Sequence, residues 1–207
     1  MDKQTLRKTL IEQRDRIPVA EAEAAAAAAA EELFRAFFYR KARSIFVFVS
    51  VGNEPGTSPI IMRALADGKK VCVPRTSAGR RMEAVPVENE AAFEKAYTDW
   101  PRSYGIPEPS AHIPAADPET LDLVIVPSLA VDRQGYRIGY GGGYYDTFIA
   151  KFADFGIREK ESTDPKNRPV FAALQYDAFL LDDPLPREPH DMQVNVIVTE
   201  KGILALN

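Results

Sequence analysis

The sequence predicts an α/β layered fold with a mostly parallel central sheet. Three observations carry that expectation. Short β-branched and aromatic runs recur along the chain, at Ile45–Val49, Lys70–Pro74, Leu121–Val126, Val170–Leu174 and Val194–Val198. Segments with helix-forming composition separate several of them, and strands alternating with helices are the signature of a parallel sheet covered on both faces. A glycine-dense loop follows one of the strands and runs into a helix, and ligands of such sheets collect beyond the carboxyl ends of the strands.

The elements follow in order. Residues 2–16 read as a charged helix, interrupted at Pro18. Residues 19–39 read as a second helix, with Pro18 near its first turn, where a missing N–H costs little. Its run from Ala24 to Ala30 is low in complexity, but alanine is the best helix former, and Glu21, Glu23, Glu31 and Glu32 keep the helix soluble. After the strand at 45–49, Gly52–Gly56 is a turn, and Thr57 is placed to cap a helix over 58–67 that ends at Gly68. Strands are expected at 70–74 and 82–87 and a short helix at 90–97. Residues 98–118 are Pro-rich and irregular, a candidate functional surface loop. A strand at 121–126, the glycine loop, a helix near 144–153, a polar aperiodic loop at 156–169, and strands at 170–174 and 194–198 complete the chain.

The 207 residues include 26 Lys+Arg and 30 Asp+Glu, a net charge of −4, so the basic footprint of a dedicated nucleic-acid binder is missing. Hydrophobic residues make up 45% and charged residues 27%, values of a globular chain, and one domain over 1–207 is expected. Cys72 is the single cysteine; it can form no internal disulfide and reads as a small buried hydrophobe. No stretch approaches the roughly 18 apolar residues of a membrane span, and the first residues lack the apolar core of a signal peptide. The expected compartment is a reducing one, the cytoplasm.

The most informative stretch is Pro127-Ser-Leu-Ala-Val-Asp132-Arg-Gln-Gly135-Tyr-Arg137-Ile-Gly139-Tyr140-Gly141-Gly142-Gly143-Tyr144-Tyr145-Asp146. Its glycines permit backbone angles that a Cβ forbids and let successive amides converge on one anion. The following helix adds its first-turn amides, and Arg137 can clamp a phosphate. It is neither a P-loop, since no Gly-Lys-Ser/Thr closes it, nor GxGxxG, whose third glycine would fall at Tyr144. A plain tight-turning loop stays open at this point. Asp146, in the first helical turn, is either a capping acid or a magnesium ligand beside phosphates.

The span from Leu121 to Phe148 resembles the signature of the 5-formyltetrahydrofolate cyclo-ligase family, also called 5,10-methenyltetrahydrofolate synthetases. Weaker segments match in the family's order. They are Lys3-x-x-Leu6-Arg7-Lys8 with Arg14, Glu54–Thr57, Gly68-Lys to Pro74-Arg75, Gly105-Ile-Pro-Glu-Pro109, and Leu185-Pro through His190-Asp191 to Thr199-Glu200. The alanine-rich helix and the polar loop at 156–169 carry no family signal. The resemblance implies a three-layer α/β/α, Rossmann-like fold with the topology of sugar-phosphate isomerases and CoA-transferases. It implies conversion of 5-formyltetrahydrofolate to 5,10-methenyltetrahydrofolate with ATP as co-substrate and Mg²⁺, releasing ADP and phosphate.

Residue by residue, the resemblance assigns ATP to Lys3, Arg7, Arg14, Arg137, Ile138, Gly139, Tyr140, Gly141, Gly142, Gly143, Tyr144 and Tyr145. At 100° per residue Lys3, Arg7 and Arg14 fall within about 40° of one another, with Leu10 on the same stripe, so one helix face can deliver three cations. A solvated basic face is the alternative reading. Folate is assigned to Glu54, Tyr104, Tyr140, Gly141, Gly142, Gly143 and Tyr144, the carboxylate suiting the pterin's adjacent donors and the aromatics its flat ring. Arg137 and Tyr144 are the implied catalytic residues, and Asp146 and Asp191 the implied metal ligands. His190 and His112 receive no catalytic role. Expected partners are a reduced folate, free or polyglutamylated, and neither nucleic acid nor membrane; the chain is expected to be a monomer. Two other readings compete: a phosphate-binding module without turnover, and a sugar-phosphate isomerase.

Overall fold

The computed structural model describes residues 2–103, 105–152 and 169–206. Its elements are α1 (Lys3–Arg14), α2 (Val19–Arg35), α3 (Phe37–Lys41), β1 (Ser44–Val47), α4 (Ser58–Ala66), β2 (Lys70–Ser77), β3 (Arg81–Val87), α5 (Glu90–Asp99), β4 (Arg102–Ser103), β5 (Ile106–Pro107), β6 (Leu123–Val126), β7 (Ala130–Asp132), β8 (Arg137–Ile138), α6 (Tyr144–Phe152), β9 (Val170–Leu174), β10 (Leu180–Leu181), β11 (Val196–Thr199) and β12 (Gly202–Ala205). The central sheet has seven strands in the order β12-β11-β9-β6-β1-β2-β3. Its inner strands β11, β9, β6, β1 and β2 are all parallel, and an antiparallel strand closes each edge.

Alternating side chains of the inner strands feed two cores. Ile45, Val47, Leu123, Ile125, Ala172 and Leu174 pack with Ala29, Leu33 and Tyr39 of α2 and α3 and with Ile60 and Ile61 of α4. Phe46, Val124, Val126, Phe171 and Ala173 face the other way, onto Phe148, Ile149 and Phe152 of α6. The result is the expected three-layer arrangement, with strands buried on both faces and therefore apolar throughout. A third cluster joins Leu10 of α1 to Leu129, Ala130, Ile138, Tyr176, Phe179 and Leu185, anchoring the first helix on the segment that carries the glycines.

The chain leaves β1 toward β2 on one side, while β6, β9 and β11 lie on the other. The reversal of strand order between β1 and β6 opens a crevice at their carboxyl ends, where such sheets bind ligands. The segments after β1 and β6 carry Glu54 and the glycine loop.

Several boundaries differ from the sequence expectation. The helix expected over 19–39 breaks at Ala36, whose backbone is extended (φ −64°, ψ 138°), and the short α3 turns Tyr39 and Ala42 into the core. The strand expected at 70–74 runs on to Ser77 because it pairs with β3 as a hairpin, from Val71 opposite Val87 to Ser77 opposite Arg81. The strand expected at 45–49 stops its pairing at Val47, and that at 121–126 begins at Leu123. Thr57 stands at the N-cap of α4, but its Oγ1 accepts from Ser50 N at 3.0 Å instead of capping, and Ser50 Oγ accepts from Thr57 N at 3.1 Å. Gly68 ends that helix as expected, at φ +73°. The region 98–118 contains the β4–β5 pair, and β12 is an edge strand with no counterpart in the sequence reading. The polar stretch at 156–169 lies, apart from Pro169, outside the described residues. Cys72 is buried, and burial pushes its thiol up to about 11. Among the described residues no helix is long and apolar enough to cross a membrane.

Candidate active site

Asp2 starts α1: its Oδ1 accepts from Gln4 N at 2.9 Å and Thr5 N at 3.0 Å, satisfying first-turn donors. With Leu10 held in the third cluster, the stripe carrying Lys3, Arg7 and Arg14 faces inward. Lys3 Nζ donates to both oxygens of Asp191 (2.7 and 2.5 Å) and to Glu188 Oε2 at 2.8 Å. Arg7 Nε donates to Gly139 O at 2.9 Å. Arg14 is 2% exposed. Its Nη2 faces Ser128 O (2.8 Å), Leu129 O (3.0 Å) and Gln175 Oε1 (2.7 Å), and the guanidinium lies over the rings of Tyr176 and Phe179. One helix face thus presents three cations at increasing depth. Arg7 lies against the glycine loop, whereas Arg14 is sealed beneath it.

The glycine loop begins with a tight turn between β7 and β8. Asp132 Oδ1 accepts from Gln134 N at 2.9 Å and Tyr136 N at 3.0 Å, and Gly135 adopts φ +85°. The turn aims Arg137 inward. Its side chain is 3% exposed, and Nη1 donates to Asp146 Oδ1 at 3.0 Å, in the first turn of α6. Arg137 Nε and Nη2 are buried with no acceptor among the described residues, as is the Tyr145 hydroxyl. Burial lowers the pKa of Arg137 and Asp146 opposes that; burial also pushes the Tyr145 hydroxyl well above its ordinary value. Gly141 (φ +98°) and Gly143 (φ +70°) occupy the left-handed region. A Cβ on Gly141 would lie 3.6 Å from the Arg7 guanidinium carbon, and one on Gly143 would lie 3.4 Å from Arg80 Nη1. Two guanidinium groups therefore flank the loop, one from α1 and one from the β2–β3 hairpin. Ile138 is buried in the third cluster and its carbonyl accepts from Leu129 N at 2.7 Å, so it offers a ligand neither its side chain nor a free carbonyl.

Glu54 follows β1, and its Oε2 accepts from Val51 N at 2.9 Å. Burial raises its carboxyl above the usual value, and the Val51 N–H, the Arg14 charge and the Tyr140 hydroxyl hold that rise back. The Tyr140 residue is 53% exposed, yet its hydroxyl meets Arg14 Nη1 at 3.5 Å; burial and the nearby Glu54 charge push that hydroxyl's pKa up. The ring stands in the crevice while the polar tip reaches inward. Beside them opens a cavity of about 490 Å³, lined by Ser50, Val51, Glu54, Arg102, Gly105 and Tyr176 among others. Tyr104 lies outside the described residues.

Asp146 Oδ1 also accepts from Met192 N at 3.2 Å, while Oδ2 has no partner among the described residues. Asp191 is fully engaged: beyond Lys3, its Oδ2 accepts from Glu188 N at 2.6 Å. Burial works to raise the Asp191 pKa, but Lys3 and the Glu188 N–H hold it below the usual value. Ligand atoms of Glu188, His190 and Asp191 lie within 4.8 Å of one another. Mg²⁺ uses one or two carboxylates and keeps several waters, so Asp146 fits as it stands, and Asp191 fits on exchanging Lys3 for the ion.

Sequence reasoning missed Arg80, Ser128 and Gln175. The hairpin tip Ala78-Gly79-Arg80 gives no hint that it reaches Gly143. Gln175 did leave a signal, a polar residue at the end of the apolar run Val170–Leu174, where the sheet puts its ligands.

Residues 1–200 match the 5-formyltetrahydrofolate cyclo-ligase family. A 5-formyltetrahydrofolate cyclo-ligase of Mycolicibacterium smegmatis is 30% identical over 208 residues, covering 99% of this chain and 97% of that protein. The mouse protein of the same name is 28% identical over 166 residues, covering 78% of this chain and 75% of its own. Among solved structures, the 5,10-methenyltetrahydrofolate synthetase of Aquifex aeolicus superposes with a TM-score of 0.78 at 23% identity, covering 100% of this chain and 94% of that one. At that identity the likeness speaks for the fold.

Proposed function

Because the chain belongs to the 5-formyltetrahydrofolate cyclo-ligase family, and is therefore an enzyme that converts 5-formyltetrahydrofolate to methenyltetrahydrofolate, we propose that it does so at the crevice between β1 and β6 with ATP as co-substrate. The observation that carries the ATP reading is the pair of buried Arg137 donors without acceptors, set against the first turn of α6 behind a glycine loop. Fixed guanidinium donors at a helix N-terminus favour a phosphate, whose oxygens would fill them.

The chemistry explains why a phosphoryl donor is needed. The N5-formyl group is an amide; resonance makes its carbon a poor electrophile and its oxygen a poor leaving group. Transfer of the γ-phosphoryl group to the formyl oxygen releases ADP and leaves a carbon doubly bonded to N5 and bearing a phosphate ester. N10 attacks that carbon, loses its proton, and phosphate departs with the C–O bonding pair, leaving the N5–CH–N10 amidinium. Such transfer depends on alignment and charge neutralisation rather than on a protein nucleophile.

The residues divide accordingly. Arg7, the glycine-loop amides and Arg137 hold the phosphates, and Lys3 is released to them from Asp191. Glu54 takes the pterin's adjacent donors at the cavity of about 490 Å³, which Tyr176 also lines. The rings of Tyr140 and Tyr144, on the glycine-loop side, are the aromatic surfaces assigned to the folate. Asp146 and Asp191 would hold magnesium, which supplies further charge neutralisation at the phosphates when bound. The reading extends to a monomer acting on free or polyglutamylated folate in a reducing compartment, where the buried Cys72 stays a thiol.

Mixing the protein with 5-formyltetrahydrofolate, ATP and Mg²⁺ should produce the methenyl absorbance, with one ADP released per turnover. Folded protein that gives no ATP-dependent product, or gives product equally without ATP, overturns the reading.

A further inference from the structure

We infer that Gln175 is a positioning residue for the folate half of the site: it locks the Arg14 guanidinium beneath Glu54 and Tyr140. The inference rests on the proposed role of Glu54 as the folate-binding carboxylate.

Gln175 is fully buried just past the end of β9, beside the crevice. Its amide is completely engaged. Nε2 donates to Ser128 O and Ser128 Oγ, both at 2.9 Å, while Oε1 accepts from Arg14 Nη2 at 2.7 Å and Tyr176 N at 2.9 Å. These partners fix the amide's orientation, because the carbonyl of Ser128 can only accept and the Tyr176 N–H can only donate. A fixed amide then fixes Arg14. Nη2 is held by Gln175 and two backbone carbonyls, and the aromatic rings of Tyr176 and Phe179 hold the guanidinium's faces. Of what remains, Nη1 faces the Tyr140 hydroxyl at 3.5 Å, and Nε is buried with no partner among the described residues. Gln175 thereby ties together α1, the segment after β6 and the end of β9, and sets where one buried positive charge stands relative to the folate carboxylate.

The geometry gives this a functional reading beyond packing. The groups acting on Glu54 are Arg14 from α1, Tyr140 from the glycine loop, Tyr145 from α6, Tyr176 from beyond β9 and the Val51 N–H of its own turn. Arg102 and Glu23 also line the cavity beside Glu54, both exposed, so Arg14 is the one buried cation of the set, and it favours the ionised carboxylate against the pull of burial. A guanidinium free to swing away would let the Glu54 pKa rise, and the carboxylate that receives the pterin's donors would be depleted at the acid end of the working range.

The test replaces Gln175→Met, which keeps the volume and removes the amide. Expected are a KM for 5-formyltetrahydrofolate raised about tenfold and a KM for ATP changed less than about twofold. The acid limb of the folate kcat/KM profile should move to higher pH by roughly half a unit or more. A loss of packing alone would leave that limb in place. Ser128→Ala, which removes only one bond of the network, should move the same quantities in the same direction by less, and it serves as the readout if Gln175→Met does not fold. Glu54→Gln is measured alongside. If it leaves the folate KM and the acid limb unchanged, the role of Glu54 falls and this inference with it. If Glu54→Gln raises the folate KM while Gln175→Met and Ser128→Ala leave the pH profile where it was, or alter both KM values alike, the positioning role of Gln175 alone is overturned.

Discussion

Replacing Arg137 by methionine separates what the guanidinium does for the fold from what it does for a ligand. Removing one partner of a buried ion pair costs about 3–5 kcal/mol when the other charge is left buried and alone. Asp146 would not be left so. Its side chain is 20% exposed, it keeps the Met192 N–H at 3.2 Å, and it sits in the first turn of α6, where the helix dipole favours an anion. The penalty should shrink to about 1–2 kcal/mol on that account. Against it, methionine deletes two buried donors that have no acceptor, each costing about 1–3 kcal/mol while unsatisfied. The two effects oppose, and on these figures the variant should be no less stable than wild type, with a net gain of between zero and about 5 kcal/mol. Catalysis has no such compensation. Loss of a positioned donor of this kind costs about 3–4 kcal/mol of transition-state stabilisation, on the order of 10²–10³ in kcat/KM for ATP. The decisive assay is thermal denaturation with and without ATP. At an ATP concentration of about 100 Kd, wild type should gain about 2.7 kcal/mol. That is roughly 5–10 °C at the usual conversion. The Arg137→Met protein should melt at or above the wild-type temperature without nucleotide and gain almost nothing from it. A variant that keeps the wild-type ATP-induced rise would show that the guanidinium meets no phosphate, and the reasoning from its unsatisfied donors would fail.

Three further outcomes are expected. Burial raises the Glu54 carboxyl in the folded protein, so the stability that comes from keeping its proton is present below the unfolded value and lost as pH rises through the folded one. Melting curves of Glu54→Gln should match wild type near pH 4 and become the more stable of the two toward about pH 7, while its folate KM rises; a variant that loses stability with rising pH contradicts this. Arg80→Ala removes the exposed guanidinium beside Gly143 and should raise the ATP KM by about three- to tenfold with the folate KM unchanged, as steady-state kinetics would show; equal effects on both substrates argue against a phosphate contact. At Gly135 (φ +85°) a Cβ would stand 2.7 Å from Val194 O, so Gly135→Ala should cost about 2–4 kcal/mol in denaturant unfolding, against about 1 kcal/mol for Gly52→Ala, whose Cβ meets nothing; equal costs would mean that the turn can shift.

Much of the architecture was legible in the sequence because burial on both faces leaves a plain mark. A strand such as Ile45-Phe-Val47 sends Phe46 to one core and its neighbours to the other, and all three must be apolar. Elements with only one covered side, or only two residues long, leave a weaker mark; β12, whose residues alternate between half-buried and exposed, and the β4–β5 pair escaped for that reason. In the site, helical phase placed Lys3, Arg7 and Arg14 on one face, but phase gives direction and not depth. Arg14 sits at the bottom because Leu10 pulls its turn of α1 into the third cluster. Thr57 shows a different failure. A hydroxyl before a helix has a choice of donors, and here the Ser50 amide, brought in by the end of β1, wins over the helix's own first turn. Arg80 and Gln175 depend on contacts across long stretches of chain, which no local pattern encodes.

The bond between Lys3 and Asp191 spans 188 positions. During synthesis the first helix emerges early, but the acids that receive its ammonium group are among the last residues to be made. A ribosome-bound chain stopped before position 188 would carry the glycine loop, α1 and most of the sheet, yet would leave Lys3 without either acid that holds it. The clasp that ties α1 to the far end of the fold can therefore close only after position 191 has been made, late in synthesis and in one step rather than in proportion to the length already folded.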